Sequence, residues 1–408
     1  MHSINGISFT QTYNGSNTFG NYNGPAARIE PGILTYQVYE EAVKHGLRIV
    51  GGTCNTVAIG GGYTQGGGHS LLSTSYGLSA DNVLEWEVVT ANGTHLTASP
   101  TRNKDLYWAL TGGGPGTWGV VLSVTLKAYP EGIISGAALT FSSQQSPSTD
   151  IFWQGVEAIH QFMPEYYAQG AVMPYTITNG IFFLQPLTVP NQPKEVAAKL
   201  ISGYTAKLDD LKIPYSLNIT QHDTWYDFFA AYYGPLPFGI YTTTQVQGSR
   251  LLPKEVVMNK TSVLIEIYKI IAARPEGYYI IGNGVNPSQD SRTAPSNSVL
   301  PAWRSNYLHM LVGSPWDWTS TFAKNYERQD VLLDTILPAM AELAPISGVY
   351  MNEGNPFEPN WKHEFYGSNY DKLKAIKKRY DPQDLFYARA GVGSEDWAEH
   401  KDGRLCRV

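Results

Sequence analysis

One stretch of twenty residues, Gly51 to Ser70, constrains this chain more than any other. It reads GGTCNTVAIGGGYTQGGGHS and holds three glycine clusters, Gly51-Gly52, Gly60-Gly61-Gly62 and Gly66-Gly67-Gly68. Glycine gives up more backbone freedom on folding than any other residue. Such density belongs either to an open, floppy loop or to backbone that approaches a ligand closely. The apolar Val57, Ala58 and Ile59 between the clusters favour an ordered, buried path. A flat ring such as an isoalloxazine, laid on backbone amides, is a ligand of the required shape. Cys54 lies inside the segment. From the residues alone it is either a small buried hydrophobe or a thiol beside that ligand.

A second glycine group, Gly112-Gly113-Gly114-Pro115-Gly116-Thr117-Trp118-Gly119, contains a formal GxGxxG. A dinucleotide fingerprint needs a strand before it and a helix after it. Here the order is reversed: DLYWAL reads as a helix and GVVLSVTL, which follows, as a strand. The nicotinamide-dinucleotide reading therefore fails, and the glycines predict a turn close to cofactor backbone.

Around these motifs the chain alternates helical and strand patterns. YQVYEEAVKHG at 36–46 predicts a helix and LRIV at 47–50 a short strand. NVLEWEVVT and HLTA, joined through Asn92-Gly93, predict a hairpin. After Pro130, strand-like runs (GAALTF, GIFFLQPLTV) mix with helical runs at 150–162, 194–208 and 324–343, as in an α+β domain. A loop is expected at 283–298. Near the end, Tyr350-Met351-Asn352-Glu353 follows a helix. Ser368 is placed to cap a further helix, 368–380. Tyr350 is a candidate general base if its pKa is lowered, although the chain holds 27 tyrosines and each has a structural reading as well.

The chain has 408 residues, enough for two or three lobes. Its formal charge of −6 argues against nucleic acid and anionic membranes as partners. No run reaches the roughly 18–20 apolar residues that span a bilayer. The first thirty residues have neither the basic nor the apolar region of a signal peptide. The expectation is an intracellular chain, or a secreted one whose start lies upstream. Two cysteines, Cys54 and Cys406, make no disulfide framework. Sequons at Asn14, Asn92, Asn218 and Asn259 permit glycosylation. His69 and His95 lie in no metal-type spacing, so no metal site is expected, and the absence of GxSxG argues against a serine hydrolase.

Taken in order, GGTCNTVAIGGGYTQGGGHS, YGLSADNVLEWEVVTANG, ASPTRNKDLYWALTGGGPGTWGVVLSVTLKAYP and the tail YMNEGNPFEPNWKHEFYGSNYDKLKAIKKRYDPQDLFYARAGVGSEDW resemble vanillyl-alcohol-oxidase-type flavoproteins with a PCMH-type FAD-binding domain. Within that group they resemble the berberine-bridge-enzyme-like oxidases, fungal 6-hydroxy-D-nicotine-oxidase-like branch. PAWR at 301–304 is a local match in the weaker middle.

The resemblance implies an α+β fold: a two-lobed FAD-binding domain, incomplete at its N-terminus, and an antiparallel-sheet substrate domain with helices on one face. It places the FAD domain at 1–130, the substrate domain at 131–345 and a closing segment that returns to the FAD domain at 346–408. It implies FAD as cofactor, held by Gly52, Thr53, Cys54, Val57, Gly60, Gly61, Gly62, Gly66, Gly67, Gly68, His69, Gly77, Asn82, Gly119, Val120, Asn369 and Tyr370, with Cys54 as a covalent tether. Tyr350 and Asn352 are the implied catalytic residues.

The implied reaction takes a hydride from a C–H beside an alcohol or amine of a small metabolite, in specialised metabolism. Oxygen or another acceptor reoxidises the flavin. The family's second tether is a histidine in an arginine-glycine-glycine-histidine segment well ahead of the cysteine. His2 does not sit in such a segment, and Asn55 stands where the family has proline. The alternative expectation is a truncated, non-catalytic homologue. Trp225, Tyr226 and Tyr241 are the aromatic candidates for a substrate pocket.

Overall fold

The computed structural model describes residues 3–14, 22–239, 245–287, 296–400 and 402–408. His2 and Tyr241 lie outside them. The first part of the chain gives β1 (Ile7–Thr10), β2 (Ala26–Ile29), β3 (Leu47–Arg48), β4 (Val83–Val89), β5 (His95–Ala98), β6 (Val120–Lys127) and β7 (Tyr129–Pro130). Five of these form an antiparallel sheet in the order β1-β2-β6-β4-β5, and β3 pairs with β7. β4 and β5 are the expected hairpin, with Val89 opposite His95 and Gly93 at φ +80° in the turn. The helix Lys104–Leu110 precedes the second glycine group and β6 follows it. That order is the reverse of a dinucleotide fold.

The middle of the chain gives β8 (Ile134–Ser142), β9 (Met173–Thr178), β10 (Ile181–Pro190), β11 (Ser216–His222), β12 (Gln245–Pro253), β13 (Tyr279–Gly284) and β14 (Asn306–Pro315). They form one antiparallel sheet in the order β11-β8-β10-β9-β13-β14-β12. Alternation along each strand sends successive side chains to opposite faces. Tyr175 and Ile177 of β9, Ile280 of β13 and Met310 and Val312 of β14 pack into a core shared with helices Thr149–Ala158, Lys194–Asp210, Thr261–Ala272 and Leu337–Leu343. Thr176, Thr178, Ile281 and Leu311 face the other way and line a cavity.

Two cores organise the chain. One is built from residues 137–344. The other joins the first sheet to Val349, Tyr350, Phe365, Tyr366, Leu373 and Ile376 from the far end of the sequence. Side-chain bonds lock these parts together. Arg304, in the short turn Pro301–Ser305, grips buried Asp81 with two hydrogen bonds of 2.7 and 2.8 Å. Lys377, on the helix Tyr370–Tyr380, donates to Asp381 at 2.6 Å and to the Thr117 carbonyl at 2.9 Å.

Several local expectations change. The helical run at 324–343 is interrupted. It forms Phe322–Val331, a wide turn at Leu332–Ile336, and Leu337–Leu343. Pro338 opens the last piece, where its missing N–H matters least. Ser368 does not cap the last helix. Asn369 takes the cap position, makes no capping bond, and donates instead to the Ser298 and Val299 carbonyls. Trp225 and Tyr226 do not line that cavity among the described residues: Trp225 is buried against Tyr39 and Phe228, and Tyr226 packs against the same core.

Candidate active site

A cavity of about 930 Å³ opens between the glycine-rich segment, the free face of the second sheet and the turn after Tyr350. Gly52, Thr53, Cys54 and Val57 form one wall. Ile59 is fully buried, whereas Val57 is 37% exposed, so the path between the glycine clusters is buried at one end and faces the cavity at the other. Cys54 is half-buried, and the only hydrogen-bond contact of its sulfur among the described residues is the Thr56 hydroxyl at 4.0 Å.

The glycine segment packs as tightly as its composition demands. A Cβ on Gly66 would lie 2.0 Å from Oδ1 of Asn352, so only glycine lets the turn Met351–Glu353 seat against it. Asn352 donates from Nδ2 to the Tyr63 carbonyl at 3.1 Å and to the Tyr350 hydroxyl at 2.7 Å. The backbone N–H groups of Gly68 and His69 add a pull that lowers the pKa of that hydroxyl.

Beside it lies an arrangement that sequence spacing concealed. His69, from the end of the glycine segment, meets Glu353 with Nε2 to Oε1 at 2.9 Å. His309, on β14, places Nδ1 3.5 Å from Oε2 of the same carboxylate. Nδ2 of Asn283, across the strand pair, is 3.4 Å from that Nδ1. His309 is fully buried, and Trp303 and Tyr350 pack edge-on or tilted around the two imidazoles. The expectation that no metal-type cluster exists is corrected here: the fold brings His69, His309 and Glu353 together from three distant parts of the chain. The signal in the sequence was a lone histidine in an otherwise apolar strand, YLHMLV.

The electrostatics separate the candidate groups. Burial pushes the Tyr350 phenol well above its ordinary value, and the charge on Glu353 pushes the same way. The donors around its oxygen do not offset this. That is the opposite of the shift a tyrosine base needs. Burial also pushes the Glu353 carboxyl up, but His69 and His309 outweigh it and hold it below the ordinary carboxylate range. Burial drops the His309 imidazole to about 4. Near neutral pH the site therefore presents a carboxylate beside a neutral His309. Among the lining residues described, Glu353 is the one carboxylate and there is no lysine or arginine. Amides and hydroxyls such as Gln185, Gln245, Gln247 and Thr176 supply the rest of the polarity.

Of the residues expected at the site, the structure brings Gly52, Thr53, Cys54, Val57, His69, Tyr350 and Asn352 to this cavity. Gly66, Gly67 and Gly68 back it. The others lie outside it. Gly60, Gly61 and Gly62 form the wide turn Ile59–Tyr63 against Pro31 and Pro115. Gly77 closes a short helix at φ +77°. Asn82 donates to the Tyr76 and Leu78 carbonyls. Gly119 and Val120 enter β6, with Val120 exposed. Tyr370 donates to Glu395.

Residues 7–99 match the family described as FAD binding domain, and residues 349–393 the family described as Berberine and berberine like. The chain is 44% identical over 391 residues to FAD-linked oxidoreductase patO of Aspergillus clavatus, covering 96% of this chain and 68% of that one. It is 39% identical to VAO-type flavoprotein oxidase VAO615 of Thermothelomyces thermophilus, over 100% of this chain and 70% of the relative. The crystal structure of VAO-type flavoprotein MtVAO615 from Myceliophthora thermophila superposes with a TM-score of 0.94 at 38% identity, over 100% of this chain and 73% of the other.

Proposed function

Since the chain belongs to the berberine-bridge-like, VAO-type family of FAD-linked oxidoreductases, we propose that it oxidises a C–H beside an alcohol or amine of a neutral, hydroxylated small metabolite, with Glu353 as the proton acceptor. The observation that carries this reading is the Glu353 carboxylate, flanked by two imidazoles and open to a cavity that Cys54 also lines.

The residues present fit FAD. The Gly51–Gly68 backbone is packed too closely for side chains at Gly66, and a half-exposed thiol faces the cavity without a strong partner. Gly52, Thr53, Cys54 and Val57, with Gly66 to Gly68 behind them, would hold the ring. Residues 1–130 and 346–408 would form the flavin-binding domain and 131–345 the substrate domain. Bound flavin supplies the acceptor for the hydride.

This chain's own residues do the rest. Amides and hydroxyls of the second sheet orient a substrate by its neutral polar groups. With no lysine or arginine among the described lining residues, a carboxylate or phosphate substrate would find no counter-ion. Glu353 takes the proton that the hydroxyl, or the neutral amine nitrogen, releases as the C–H is oxidised. His69 fixes Oε1 of the carboxylate, and the buried Oε2 carries no hydrogen bond. Tyr350, whose oxygen accepts from Asn352, keeps its own proton to donate and serves as a positioning hydrogen bond.

Rapid mixing of the flavin-loaded protein with neutral hydroxylated and amine compounds, without oxygen, tests the reaction through loss of oxidised-flavin absorbance. Tyr350→Phe is expected to slow this step by about tenfold, the worth of one hydrogen bond of roughly 1.4 kcal/mol. A Tyr350→Phe loss as large as that of Glu353→Gln would move the proton acceptor to the tyrosine. Cys54 is the proposed covalent tether. Acid-precipitated wild-type protein should stay yellow, and Cys54→Ala should release its flavin into the supernatant. Covalent flavin retained in Cys54→Ala removes Cys54 from that role.

A further inference from the structure

The cluster at the end of the cavity has a second capacity. His69, His309 and Glu353 each offer one ligand atom, and these atoms lie within 4.8 Å of one another. The closest pairs are 2.9 and 3.5 Å apart. A zinc-class cation bonds nitrogen and carboxylate oxygen at about 2.0–2.2 Å, which in a tetrahedron sets ligands about 3.4 Å apart. These two distances run to different oxygens of Glu353 and the ligand atoms span up to 4.8 Å, so side-chain shifts of about 1–1.5 Å would close the site.

Oε2 of Glu353 is a buried carboxylate oxygen with no hydrogen-bond partner. A buried anionic oxygen without a hydrogen bond, with the His309 Nδ1 at 3.5 Å, leaves room for a further partner. His309 cannot swing away to relieve it, because it is fully buried and packed between Trp303 and Tyr350. Two imidazoles and one carboxylate form a ligand set for first-row transition cations. Calcium and magnesium prefer all-oxygen sites. The protein fills three positions and the cavity side stays open, the arrangement of a site that keeps a place for an exchangeable oxygen ligand.

We propose that His69, His309 and Glu353 form a binding site for a single divalent transition-metal cation of the zinc class, with its open coordination face toward the cavity. The site stands on ligand atoms and needs no assumption about the oxidation reaction. A cation there occupies the same Oε2 that otherwise accepts a proton, so metal loading and proton acceptance exclude each other.

The test is calorimetric titration of the purified, flavin-loaded, chelator-stripped protein with zinc chloride, followed by gel filtration and metal analysis. One zinc per chain is expected. Glu353→Gln and His309→Ala should each weaken binding by at least tenfold, and Cys406→Ser, at an exposed thiol away from the cavity, should bind as the wild type does. Glu353→Gln nearly preserves size and shape, so it carries the test if His309→Ala fails to fold. Absence of saturable binding to the wild type, unchanged affinity in Glu353→Gln, or loss of binding in Cys406→Ser would each overturn the assignment.

Discussion

Glu353→Gln is expected to slow flavin reduction by about 10²–10⁴-fold, the usual worth of a positioned general base, or roughly 2.7–5.5 kcal/mol of barrier. The substitution keeps the shape of the side chain and can still meet His69 through its amide. It removes the negative charge and one of the two carboxylate oxygens that could take the proton. Substrate affinity should move far less than rate, because neutral amides and hydroxyls do most of the binding in this reading. Single-turnover reduction under anaerobic conditions separates the two. A loss of less than tenfold in the reduction rate would remove Glu353 as the proton acceptor.

Asp381→Ala is expected to cost about 3–5 kcal/mol of stability, the penalty for stripping one partner from a buried ion pair. Lys377 and Asp381 are each 1% exposed. Asp381 accepts from the Lys377 ammonium at 2.6 Å and from the backbone N–H groups of Leu385 and Phe386 at 2.8 and 2.9 Å. Lys377 reaches on to the Thr117 and Phe386 carbonyls. Removing the carboxylate leaves an ammonium inside the protein with only carbonyls around it.

The same pair sets a pH dependence. Burial pushes the Asp381 carboxyl up, but Lys377 and the two N–H groups outweigh it, and the folded-state pKa lies below the ordinary value. Its contribution is therefore fully present above the unfolded value near about 3.9. It is lost as the pH falls through the lower folded value. Urea denaturation at neutral pH and near pH 3 should show the wild type and the variant converging at the acid end. Parallel pH profiles, or a neutral-pH loss under about 1 kcal/mol, would show that the pair does not hold the tail.

The sequence disclosed the parts of this protein that depend on local chemistry. Glycine clusters mark where backbone must pass closely, and Gly66 against Asn352 is that constraint in three dimensions. The Asn92-Gly93 hairpin and the helix-then-strand order around Gly112–Gly119 follow from turn residues and period alone. The alternation of MPYTIT already separates Tyr175 and Ile177 from Thr176 and Thr178, although which face held the cavity was not written in it.

Long-range pairings stayed hidden. Glu353 stood in view beside Tyr350, yet nothing local shows that His69 lies 284 positions away and 2.9 Å distant. His309 reads as one polar residue in an apolar strand until β13 and β14 pair. Aromatic content misled: Trp225 is core filler, and the rings that reach the cavity include Tyr279 and Trp316, in the part of the chain least similar to known motifs.

The sharing of one core by the two ends of the sequence has a consequence for synthesis. Val349, Phe365, Leu373 and Ile376 complete the interior begun by Ala27, Val38 and Trp86. These late residues leave the ribosome after the whole of the second sheet. The interior around the glycine-rich segment is therefore complete only after residues 137–344 have been made. A shortened translation product that ended before residue 345 would lack the residues that close that interior.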